Sequence, residues 1–155
     1  FNKWIIIREP LELNDETVKN RRYFHTNAET GLHMPMACAY VMDKLTEYGL
    51  TPSRCGEGVT ATVGNGGKVL LLRADMDALP MPEESGLSFA CPTGKEAHAC
   101  GHDFHAAMLL TAAKMLKENE AEFKRHSQIH VPACRRNIRR QQKYDQTRNS
   151  GKSKS

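Results

Sequence analysis

The stretch VLLLRADMDALP, at residues 69–80, decides the fold. Its first four residues form an unbroken β-prone apolar run, which predicts a strand buried on both faces, as in parallel sheets flanked by helices. Asp75 and Asp77 follow at the carboxyl end of this strand, where open α/β sheets bind their ligands. The two acids would share a side of an extended chain. The alternative interpretation is a strand-to-loop turn whose carboxylates only face water.

Helices and a strand are predicted on either side of this stretch. We expect a helix to run to about Phe24, with Asn14 or Asp15 as its cap. Apolar residues at helical spacing predict a second helix over 36–48, and alternation predicts a strand over 59–63. The order of elements indicates an α/β fold.

A third helix is predicted to follow Asp103, and a glycine-rich turn is predicted over 64–67. The apolar face that we expect for this helix consists of Phe104, Ala107, Met108, Ala112, Met115 and Leu116.

The motif HACGHDFH, at residues 98–105, carries the strongest chemical signal. Thiolate and imidazole are preferred ligands of zinc-like metals, and Cys100 and His102, with one glycine between them, can turn together onto one ion. Asp103 could orient a ligating imidazole or cap the helix that starts there. His105 is close enough in sequence to support the same site. Because catalytic zinc normally takes about three protein ligands plus water, further ligands must come from elsewhere.

The cysteines do not form a disulfide framework, because there are five of them at irregular spacing. We interpret Cys38, Cys55 and Cys91 as small packing residues. No apolar run approaches the roughly 20 residues that span a bilayer, and there is no export signal. We therefore expect a cytoplasmic protein without a membrane partner. Since the first residue is Phe1 rather than Met, we also expect the native start to lie upstream.

The charge changes abruptly near residue 125. Residues 125–155 contain nine Lys or Arg and one acidic residue and so carry +8, whereas residues 1–124 carry −4. Hydrophobic periodicity ends at the same place. Such a break separates segments of different origin or role, so we expect residues 1–124 to be the folded part and residues 125–155 to be a disordered basic tail.

The motifs together resemble those of the metal-dependent amidohydrolases that include hippurate hydrolase, indole-acetyl-amino-acid hydrolase and N-acyl-amino-acid deacylase, relatives of aminoacylase and carboxypeptidase G. The similarity covers nearly all of residues 1–124. One departure is Ala28-Glu29, where the family usually has Pro-Glu. The matching segments are Arg21-Arg22-Tyr23-Phe24-His25 with Glu29, Gly58-Val59, 73–80, Glu83-Glu84 with Ser88, 98–105 and the helix over 106–116.

The resemblance implies the N-terminal part of a zinc-peptidase-like mixed sheet flanked by helices. It also implies a site for two divalent ions, manganese or zinc, with Cys100 and His102 as the first ligands. The family hydrolyses the amide bond of small N-acyl amino acids with metal-activated water, and complete homologues are expected to be homodimers.

Four further residues match family positions around the site. Asp77 and Asp103 match residues that support catalysis, and Asp75 and His105 match outer groups of the site. The family's late histidine ligand and its smaller inserted domain do not fall within 155 residues. We therefore expect this chain to be an inactive N-terminal fragment.

A shifted reading frame would explain the basic tail. The family next has a strand that ends in FQPAEE, whose glutamates move protons and bind metal, whereas this chain has VPACRR at residues 131–136. Codons compatible with residues 125–144, read after removal of one base, give GTVKFMFQPAEETFEGSKNM. The two glutamates then replace Arg135 and Arg136. Our hypothesis is a one-base frameshift near Lys124.

Two other classes of function are compatible with the sequence. The tail could be a basic arm that binds nucleic acid, although it has few aromatic residues for stacking. The chain could also be a small zinc-stabilised interaction module, with His126, His130 and Cys134 as candidate ligands by residue type only.

Overall fold

The computed structural model describes residues 11–64, 69–122 and 126–131. Within these ranges the chain forms three long helices and a four-stranded sheet. The helices are α1 (Asn14–Thr26), α2 (Pro35–Glu47) and α3 (His102–Glu118), which is followed by a short 3-10 turn (Glu120–Glu122). The strands are β1 (Ser53–Cys55), β2 (Gly58–Val63), β3 (Val69–Arg73) and β4 (His126–Val131).

The sheet is mixed, with strand order β1-β2-β4-β3. Strand β4 pairs antiparallel with β2 and parallel with β3, so it occupies an inner position although it is last in sequence. The predicted α/β class with a mixed sheet and packed helices is therefore confirmed. Among the described residues, no helix is long and apolar enough to cross a membrane.

The core joins the helices to strand β2. Val41 and Leu45 of α2, Val59 and Val63 of β2, and Leu110 of α3 are each at most 2% exposed. Fully burying such a side chain contributes about 1.5–3 kcal/mol, so these contacts fix α3 on the sheet. Three of the cysteines are buried as predicted for packing residues, namely Cys38, Cys55 and Cys91.

Helix α1 has the predicted position but not the predicted cap. Leu13 stands at the N-cap position and makes no side-chain capping bond, whereas Asn14 and Asp15 lie inside the first turn. The acidic Asp15 and Glu16 there still favour the helix electrostatically, because its N-terminus carries partial positive charge.

The buried face of α3 differs from the predicted one. Phe104 and Met108 are 52% and 54% exposed, and the Arg21 guanidinium lies 4.4 Å from the centre of the Phe104 ring. The predicted face was assigned largely from the large side chains of the helix. The helix instead packs against α1 and the sheet through smaller residues and leucines. The residues of α3 that are buried are Asp103, Ala106, Ala107, Leu109, Leu110 and Ala113.

Strand β3 is confirmed as a strand, but its predicted burial on both faces is wrong. Val69, Leu70 and Leu71 are 62%, 55% and 55% exposed. Since successive residues point to opposite faces, both faces are open at this end of the strand. The reason is its position at the edge of the described sheet, with β4 as its hydrogen-bonded neighbour.

The predicted disorder from residue 125 onward is wrong for residues 126–131, which form β4. The prediction relied on composition, whereas the strand is held by backbone hydrogen bonds to both neighbours. Residues 132–155, including Cys134, lie outside the described part of the chain, as does most of the predicted turn at 64–67. The side chains of His126 and His130 are also not described, so the predictions about the basic tail and a zinc module stay predictions.

Candidate metal centre

The loop after β3 is tied to two other segments, and these ties place Asp77. The Ala78 amide donates to the Glu29 carbonyl at 2.8 Å. Leu79 and Ala97 exchange two backbone hydrogen bonds of 2.9 and 3.0 Å. The carboxyl end of the strand is therefore fixed next to the segment that leads into α3.

His102 and Asp77 form the central contact of this region. Nδ1 of His102 lies 2.8 Å from the Asp77 carbonyl oxygen and 3.0 Å from its Oδ1. A carbonyl oxygen only accepts hydrogen bonds, so Nδ1 must carry the proton and donate. In the neutral imidazole this leaves the lone pair on Nε2. A histidine that donates its other N–H to a carboxylate and a carbonyl has the arrangement typical of metal ligands.

Cys100 is an exposed free thiol two residues before His102. Gly101 between them has φ +73°, a left-handed conformation that a residue with a Cβ adopts only with strain. The sequence predicted that this glycine would let the two side chains turn together. Gly101 is the N-cap residue of α3, and the convergence of the two side chains on one ion stays a prediction.

Two predicted outer groups lie in different environments. Asp75 is buried and paired with the Arg73 guanidinium, which neutralises it. His105 is exposed on the first turn of α3, with its ring centre 5.8 Å from that of His102. His105 therefore lies beside the predicted ligand His102, whereas the described ion pair of Asp75 is with Arg73.

Asp103 points toward α1. It is 1% exposed, and its Oδ2 lies 2.7 Å from Nε of Arg21 and 2.7 Å from Nδ1 of His25. Its Oδ1 accepts from the Phe104 amide at 2.9 Å. The imidazole that Asp103 contacts is thus His25, whereas His102 is held by Asp77.

His25 extends this network to Glu83, whose side chain is 6% exposed. Nε2 of His25 lies 3.2 Å from Oε1 and 3.1 Å from Oε2 of Glu83, with hydrogen-bond geometry only to Oε1. Hydrogen bonds from Ser85 and then from His25 hold the pKa of Glu83 below its usual range, against the opposing effect of burial.

His98 is buried beside this network. Its Nε2 donates to the Phe24 carbonyl at 3.1 Å, and its Nδ1 has no partner among the described residues. Burial lowers the pKa of His98, with a smaller opposing effect of Asp103. The imidazole is therefore neutral near pH 7, with its lone pair on Nδ1.

Sequence reasoning assigned no role to Arg21, His25 or Glu83. They are 82, 78 and 20 positions from Asp103 in sequence, so local spacing carries no sign that they meet. Only the family resemblance, which included Arg21, His25 and Glu83 in its matching segments, singled them out.

The donor chemistry fits a divalent cation, but the described set is incomplete. Cys100 and His102 are one thiol and one oriented imidazole, the types that zinc-like metals prefer. Within residues 11–64, 69–122 and 126–131, no three His, Cys, Asp or Glu side chains are placed to hold one ion. A catalytic site would need at least one further ligand.

Several known proteins are similar to this chain in sequence. Residues 71–132 match the model of peptidase family M20/M25/M40. The N-acetyl-L-cysteine deacetylase of Bacillus subtilis is 38% identical over 116 residues, which are 72% of this chain and 28% of that protein. The hippurate hydrolase of Campylobacter jejuni is 40% identical over 115 residues, which are 72% of this chain and 30% of that protein.

A solved structure agrees with the sequence relatives. The Bacillus subtilis YXEP protein, described as a dinuclear metal-binding peptidase of the M20 family, superposes with a TM-score of 0.75 at 30% identity. The match covers 79% of this chain and 36% of that one. The chain therefore spans less than a third of the two curated relatives and about a third of this structure.

Proposed function

We propose, from the premise that this chain belongs to peptidase family M20/M25/M40 through residues 71–132, that it derives from a metal-dependent hydrolase of N-acyl amino acids. Relatives named for deacetylating N-acetyl-L-cysteine and for hydrolysing hippurate support this substrate class. Both names describe cleavage of an amide bond between an acyl group and an amino acid.

The observation that carries the proposal is the orientation of His102. Its Nδ1 is occupied by the backbone carbonyl and carboxylate of Asp77, which leaves Nε2 to bind a cation. In the proposal Cys100 and His102 hold divalent metal, and Asp77 fixes the imidazole. A bound cation supplies Lewis acidity that activates water and polarises the amide carbonyl.

The roles of the other predicted residues follow from their surroundings. Asp103 supports the site indirectly, because its carboxylate is already used by Arg21 and His25. Asp75 is neutralised by Arg73, so we propose a structural role for it. His105 is exposed beside His102 and is free to contact substrate. By resemblance the complete site holds two ions, zinc or manganese, and the complete protein is a cytoplasmic homodimer.

The proton-transfer group is the missing part of this proposal. The match to the family ends at residue 132, three residues before Arg135. Arg135 and Arg136 stand where the resemblance places two adjacent glutamates of the family. Arginine cannot act as a general base at neutral pH. We therefore propose that the chain binds metal but does not hydrolyse amides.

The frameshift hypothesis accounts for this loss. Strand β4 lies between two other strands, an environment that favours apolar residues, yet its sequence is HSQIHV. In the shifted frame the same positions read TVKFMF. Resequencing the DNA around codon 124 tests the hypothesis: we expect an extra or missing base. Codons that cannot encode the glutamates in any frame would contradict it.

The activity is tested with a frame-restored gene. The purified protein, loaded with zinc or manganese, is incubated with N-acetyl, N-benzoyl and indole-acetyl amino acids, and release of the free amino acid is measured. We expect release that a chelator abolishes and that the matched variant Cys100→Ser lacks. A folded, metal-loaded protein that releases nothing from all three substrate classes would contradict the proposed function.

A further inference from the structure

The end of α1 and the loop after it contact every segment of the candidate site. His25 bonds Asp103 in the first turn of α3, and the Phe24 carbonyl accepts from His98, two residues before Cys100. The Glu29 carbonyl accepts from Ala78, next to Asp77. Residues 24–29 thus join the 98–105 motif to the loop that carries Asp77.

The contact between His25 and Asp103 lies beside an ion pair in which the Asp103 side chain is 1% exposed and the Arg21 side chain is 17% exposed. Arg21 donates through Nε to Oδ2 of Asp103, and a carboxylate in that ion pair only accepts. Nδ1 of His25, 2.7 Å from the same oxygen, must therefore carry a proton and donate. The 3.2 Å contact between Arg21 Nη2 and His25 Nδ1 is then between two donors and is not a hydrogen bond.

The direction of Asp103 constrains its neighbour. On a helix, adjacent side chains differ by about 100°, so holding Asp103 against α1 sets the direction in which His102 leaves the first turn. That direction brings Nδ1 of His102 to Asp77. Gly101, the N-cap residue before this turn, has no side chain that could form a capping hydrogen bond, which increases the importance of the anchor at Asp103.

We propose that His25 is a positioning residue for the candidate metal centre. Through its Nδ1 bond to Asp103 it fixes the first turn of α3, and so presents Cys100 and His102 to a cation in a geometry set before binding. This inference rests on the proposed function. It assigns His25 no bond to the metal and no part in proton transfer.

Two substitutions of His25 separate its two contacts. His25→Asn keeps a nitrogen near the place of Nδ1, which can still donate to Asp103, and loses the contact to Glu83. His25→Gln places its amide near Nε2, which can reach Glu83, and loses the contact to Asp103. The matched control is Tyr48→Phe, which removes a buried hydroxyl that bonds Glu16 and Asn20, away from the site.

The first measurement is amide hydrogen exchange in the metal-free chain at Phe104 and His105, whose amides both bond the Gly101 carbonyl at 3.1 Å. We expect exchange at wild-type rates in His25→Asn and Tyr48→Phe, and exchange at least about tenfold faster in His25→Gln. Equal rates in the Asn and Gln variants would overturn the positioning role.

The second measurement is titration with Co²⁺, followed by the thiolate-to-cobalt charge-transfer absorption. Loss of an outer support typically weakens metal binding about 10- to 100-fold, so we expect that loss for His25→Gln and less than about threefold for His25→Asn. Equal weakening in Tyr48→Phe would mean that lost stability alone is responsible and would overturn the inference. A wild-type chain without the absorption band would overturn the proposed function, whereas normal cobalt binding in every variant would overturn only the role of His25.

Discussion

The backbone carbonyl and the side chain of Asp77 both accept from Nδ1 of His102, at 2.8 and 3.0 Å. The sequence placed Asp77 at a strand end and His102 in a ligand motif, but it could not pair them, because they are 25 positions apart. The loop that carries Asp77 is held by backbone bonds to Glu29 and Ala97, and these are tertiary features. Spacing therefore predicted which residue types the candidate site contains, whereas tertiary packing determined that Asp77 contacts His102.

Asp77→Ala tests this orientation. The substitution removes one of the two acceptors and leaves the carbonyl, so we expect metal affinity to fall about tenfold with the helix content unchanged. Competition titration against a chelator of known affinity measures the change. The matched control is Asp43→Ala on the exposed surface of α2. Equal affinities of Asp77→Ala and the wild-type chain would contradict the assigned role.

Glu83 makes the stability of the fold depend on pH. Because its pKa is lowered in the folded chain, its contribution is complete above the ordinary pKa of 4.5 and is lost as the pH falls through the lower folded value. We expect the free energy of unfolding to fall less between pH 5 and about pH 3 in Glu83→Gln than in the wild-type chain, as measured by urea denaturation.

The neighbouring Glu84 provides the control for this measurement, because it is exposed. Glu84→Gln should have the pH dependence of the wild-type chain. The same loss of stability in Glu83→Gln as in the wild-type chain would show that Glu83 is not the responsible carboxylate.

At the scale of elements, α1, α2, β2 and α3 were predicted from apolar residues that recur at helical or strand spacing, and β3 was predicted from its unbroken apolar run. The buried face of α3 was not predicted correctly. A helix that packs against two neighbours buries a broad stripe, and in α3 this stripe includes alanines. The central strand β4 was also missed, because its polar sequence lacks the apolar pattern and its order comes from backbone pairing with β2 and β3.

The orientation of α3 is tested by two substitutions near its middle, at Leu110 and at Met108 two residues earlier. Leu110→Ala removes a side chain that is 1% exposed and should cost about 2–5 kcal/mol of unfolding free energy. Met108→Ala removes one that is 54% exposed and should change it by less than about 0.5 kcal/mol. Chemical denaturation measures both. Similar losses would mean that the predicted face, rather than the observed one, packs on the core.

At the scale of the whole molecule, strand β3 presents apolar residues at the edge of the described sheet. Val69, Leu70 and Leu71 are all more than half exposed, and such edges associate with other chains unless a charge or a covering element prevents it. The unbroken apolar run predicted the strand itself, but its exposure could not be predicted correctly, because exposure depends on which strands lie beside it.

Leu71→Lys tests the consequence for solubility. A lysine at this edge should lower self-association, so we expect a larger monomeric fraction at equal concentration in sedimentation or light-scattering measurements. Leu87→Lys, at a loop leucine that is 41% exposed, is the matched control and should have no effect. An equal gain in both variants would attribute the effect to charge alone rather than to the β3 edge.

The most direct test of the central claim is whether the chain binds a divalent cation through Cys100 and His102. The metal-free chain is titrated with Co²⁺, and the thiolate-to-cobalt absorption is compared with that of Cys100→Ser, His102→Ala and the control Cys91→Ser, which alters a buried thiol. We expect the absorption in the wild-type chain and in Cys91→Ser, and its loss in the other two variants. Absence of the absorption from the wild-type chain, or its persistence in Cys100→Ser, would contradict the claim.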